Sequence, residues 1–86
     1  MSQLGQLKGQ INQLANESKK TAGSLAAYKS KFSTQVSQVT ATIGGSAQRV
    51  DQDMIQTLQA AEKQLDAAVA ALQQAATAAN RYASSL

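Results

Sequence analysis

Four carboxylates in the second half of the chain, Asp51, Asp53, Glu62 and Asp66, are the first side chains to weigh for chemistry. Asp51 and Asp53 are two residues apart, so on a helix they point to different sides and cannot share one reaction. Glu62 and Asp66 do share a helical face, but Lys63 beside them suits a solvated charged surface. The chain has no histidine and no cysteine, which removes the usual general base, the thiol nucleophile and the soft metal ligands. No catalytic residue, metal ligand or cofactor site is assigned, and the chain is read as a non-enzyme.

The basic side chains offer Lys19-Lys20 and Lys29-x-Lys31 as a candidate phosphate-binding or membrane-surface patch. Aromatic residues make up only 3% of the chain and the net charge is +3, so a solvated helix face explains these lysines better than nucleic acid. Lys29 is expected opposite the Glu62 region. No apolar run approaches the roughly 20 residues that cross a bilayer, so stable membrane insertion is not expected. Lys8 is not followed by an apolar segment, so the amino terminus is not a conventional cleavable signal peptide. Export would take a leaderless route.

The elements that must carry these residues are helices. Proline is absent, and alanine, glutamine, leucine, serine and lysine dominate the 86 residues. From Leu4 to Val39 the seam reads Leu4, Leu7, Ile11, Leu14, Ser18, Thr21, Leu25, Tyr28, Phe32, Val36 and Val39. The step from Phe32 to Val36 predicts a stutter. Val36, Val39 and Ile43 keep helical spacing, so the β-branched tail is not a strand. Gly5, Gly9 and Gly23 weaken the first helix, and fraying is expected before residue 10. Gly5-x-x-x-Gly9 carries little meaning outside a membrane-length segment.

The second seam runs Val50, Met54, Leu58, Ala61, Leu65, Ala68, Leu72, Ala75, Ala79, Tyr82 and Leu86. Asp51 and Asp53 lie at its amino end, where the macrodipole favours negative charge. Between the seams stands Ile43-Gly44-Gly45-Ser46. Its glycines can end one helix, and its serine can cap the next.

The chain therefore predicts one all-α domain, residues 1–86: a helix over about 3–42, a bend at 43–46 and a helix over about 46–84. Folding at the glycines pairs Val39 with Val50, Val36 with Met54, Phe32 with Leu58, Tyr28 with Ala61 and Leu25 with Leu65. The predicted hairpin core is Leu14, Leu25, Tyr28, Phe32, Val36, Val39, Val50, Met54, Leu58, Leu65 and Leu72. A second stripe of Ile55, Val69 and Ala76, with Ala83, and with Ala15, Ala22 and Ala26 on the first helix, is read as a partner surface. A chain this short usually needs a partner, so two hairpins are expected to dimerise into a four-helix bundle.

This layout resembles the WXG family, the small early-secreted-antigen-like proteins of type VII secretion. The family's Trp-Gly-Gly-Ser bend corresponds to Ile43-Gly44-Gly45-Ser46, with isoleucine in place of the signature tryptophan. Its export signal, Tyr-x-x-x-Asp/Glu, corresponds to Tyr82-Ala83-Ser84-Ser85-Leu86, with leucine at the acidic position. The resemblance implies a substrate or co-secreted partner of the type VII machinery, made in the cytoplasm and secreted without a cleavable signal peptide. Its partners would be a second copy or a related hairpin, the helical amino-terminal region of a toxin, and the secretion ATPase. Two other readings stand beside it. One is a targeting chaperone or adaptor for a larger LXG-type toxin, and the other is a structural coiled-coil adaptor unrelated to secretion.

Overall fold

The computed structural model describes residues 2–44 and 48–86. Two helices make up the fold, α1 over Gln3–Ile43 and α2 over Arg49–Ser85. Among the described residues there is no strand. The predicted all-α hairpin is what the chain forms, with α1 lying against α2.

α1 starts where the sequence allows it to, despite the nearby glycines. Ser2 is in an extended conformation, and its Oγ accepts a hydrogen bond from the Gly5 N–H at 3.1 Å. This satisfies one of the four amide groups a helix start leaves unpaired. The helix is continuous through the region where fraying was expected. Along its β-branched end Thr34, Thr40 and Thr42 each donate a hydroxyl hydrogen bond to the carbonyl four residues back. The threonine hydroxyls thus bond within the helix instead of competing with it.

Gly44 closes α1 with φ 67° and ψ −151°, and its N–H donates to the Thr40 carbonyl at 3.1 Å. Gly45 and Ser46, the rest of the predicted bend motif, lie outside the described residues. α2 begins at Arg49, three positions later than predicted. At its start the Asp51 carboxylate accepts from the Gln48 N–H at 3.1 Å, so the acidic residue expected near this terminus also caps it.

The molecule measures 67 × 17 × 13 Å, two helices laid side by side and one helix thick. Two bonds between the legs establish their antiparallel sense. Ser33 Oγ donates to Glu62 Oε2 at 2.9 Å, and Lys29 Nζ lies 3.3 Å from Asp66 Oδ1, so rising numbers on α1 meet falling numbers on α2.

The seam departs from the predicted one. Its buried residues are Ala15, Ala22 and Val36 on α1 and Ala76 and Ala83 on α2. Leu25, Phe32, Leu58, Leu65 and Leu72 are half-buried between them, as are Ile55 and Val69. Of the predicted core, Leu14 (58% exposed), Tyr28 (57%), Val50 (75%), Met54 (42%) and Val39 lie on the surface of the hairpin. Ile55, Val69 and Ala76, assigned to a partner surface, belong to the contact between the legs.

The physical reason is size. The predicted and observed seams share Leu25, Phe32, Leu58, Leu65 and Leu72. They differ in which neighbouring stripe completes the contact. Leucine and tyrosine at 14 and 28 would stand between the helices and hold their axes apart, whereas alanine at 15, 22, 76 and 83 lets the shared large residues fill the space between closely set axes. Each helix is turned by about 50° from the expected facing, half the 100° step of one residue. The predicted stutter vanishes with it. Ala15, Ala22, Lys29, Val36 and Ile43 recur every seventh residue without interruption.

Gly23 lies in the middle of α1, and a methyl group added there would meet nothing within 4 Å. Gly23→Ala should stabilise the hairpin by about 0.5–1 kcal/mol, since it restricts the unfolded chain without a clash. A thermal melt followed by circular dichroism checks this.

Candidate interaction surface

The two long edges of the seam differ in chemistry. On one edge the Ser33–Glu62 hydrogen bond and the Lys29–Asp66 ion pair link the helices. Lys29 was expected opposite the Glu62 region; it reaches Asp66, one turn further along α2. Both members of this pair are substantially exposed, with side chains at 33% and 63%. Exposed pairs contribute little. A double-mutant cycle with Lys29→Ala and Asp66→Ala should give a coupling below about 1 kcal/mol by denaturant titration.

The opposite edge is apolar. Leu7, Leu14 and Tyr28 recur at heptad spacing on α1, and Met54 and Tyr82 occupy the equivalent stripe of α2. Both helices are turned in the same sense about their own axes, and they run antiparallel, so the two displaced stripes fall on one side of the hairpin. An open recess confirms the arrangement near the bend. It is lined from α1 by Gln35, Gln38, Val39, Thr42 and Ile43 and from α2 by Asp51 and Met54. The Tyr28 ring leans along the helix onto Phe32, with ring centroids 6.4 Å apart and planes 20° apart.

Three of the four carboxylates singled out in the sequence make structural contacts. Asp51 caps α2, Glu62 accepts from Ser33 and Asp66 faces Lys29. Among the described residues no three acidic, histidine or cysteine side chains gather as a metal site. Among the described residues no helix is long and apolar enough to cross a membrane. Tyr82 is half exposed in the last turns of α2, where Ser85 Oγ donates to its carbonyl at 2.7 Å.

The apolar edge was visible in the sequence only as a supposed core. On α1 the signal that would have separated the two stripes is the heptad recurrence of alanine at 15 and 22, where helix axes can approach closely; on α2 alanine recurs at heptad spacing in both stripes, at 61, 68 and 75 and at 76 and 83. Comparison with protein-family models, with characterised proteins and with solved structures returns no match.

Proposed function

We propose that this chain is a small non-enzymatic helix–helix recognition protein of type VII secretion, exported as a substrate or co-secreted partner. The observation that carries the recognition part is the row of large apolar side chains, Leu7, Leu14, Tyr28, Met54 and Tyr82, exposed along one side of the hairpin. Apolar rows of this kind are expected where another surface covers them. The secretion part rests on layout: a glycine bend after Ile43, two helices of nearly equal length, and a tyrosine accessible at the carboxy-terminal end.

Leu86, at the position where an acidic residue would complete the export signal, favours a second form of the same proposal. In it the chain travels with, or delivers, a partner bearing an intact signal, such as a toxin with a helical amino-terminal region. The experiment is immunoblotting of culture filtrate and cell lysate from the native host, with and without its type VII ATPase. Appearance in the filtrate only when the ATPase is present supports the substrate reading. Retention in the cell under both conditions rejects it and leaves the targeting adaptor. Equal release without the ATPase removes type VII secretion altogether and leaves a structural adaptor.

A further inference from the structure

We draw no further inference here: the strongest candidate, the open recess that Val39, Ile43 and Met54 line between the helices beside the bend, belongs to the apolar edge already described as the interaction surface, and nothing in the structure shows what else covers it.

Discussion

Ala76→Asp should abolish the hairpin, whereas Leu14→Ala should leave the dilute, isolated hairpin within about 1 kcal/mol of its starting stability. Ala76 is 1% exposed and sits where the helix axes come together. A carboxylate there loses its hydration without an opposite charge to replace it, and burying an unpaired charge typically costs several kcal/mol. A domain of this length has about 4–13 kcal/mol to lose, from the usual range per residue, and its thin core puts it toward the lower end. Ala76→Leu separates charge from volume. Overpacking at a close helix contact should lower stability by about 1–3 kcal/mol without preventing folding. Leu14 is a much larger apolar side chain, but in the hairpin it is more than half exposed, and truncating it leaves no cavity between the legs. Far-ultraviolet circular dichroism and thermal melts at low concentration give all three values. If Leu14→Ala proved as damaging as Ala76→Asp under those conditions, the seam would run through the leucine stripe after all.

That contrast also marks what the sequence could convey. The two helices, the reversal after Ile43 and the absence of strands among the described residues follow from period, from missing proline and from the central glycines, each of which acts locally. Asp51 at the start of α2 was legible for the same reason, because a helix terminus attracts a carboxylate whatever lies further away. The facing of the helices is different. Leu25, Phe32, Leu58, Leu65 and Leu72 belong equally to two possible seams. Hydrophobicity alone ranks Leu14 and Tyr28 above Ala15 and Ala22, and so selects the wrong neighbour. The choice is made by the distance between axes, which depends on both helices at once. With the facing misjudged, the partner surface was misjudged too. Ile55, Val69 and Ala76 moved inward, and Met54 and Tyr82 moved onto the outside. The polar links followed the same rotation, so Glu62, expected opposite Lys29, accepts from Ser33 instead.

The second large effect concerns the end of α1, where Gly44→Val should destabilise the hairpin and lengthen the molecule. Gly44 has φ 67° and ψ −151°, a backbone region that is essentially restricted to glycine and costs about 1–3 kcal/mol for other residues. Space is not the obstacle, since an added Cβ would come no closer than 4.0 Å, to the Ala41 carbonyl oxygen. The strain is in the torsion angles, and valine's branched side chain accommodates it least. Gly44→Ala adds a second force, because alanine favours helical angles and lets α1 continue past its present end. The seam inside one chain would then be exchanged for the same seam between two straightened chains, the usual route by which a lost turn produces a swapped dimer. A single helix of 86 residues would extend about 130 Å at 1.5 Å per residue, against a hairpin of 67 Å. Small-angle X-ray scattering should therefore show the maximum dimension rising in Gly44→Ala and Gly44→Val but not in Gly23→Ala. Both Gly44 variants should melt earlier than the parent at low concentration, where exchange between chains cannot compensate. Unchanged melting and unchanged dimensions in both would mean that the reversal is imposed by the contact between the legs and not by the conformation of Gly44.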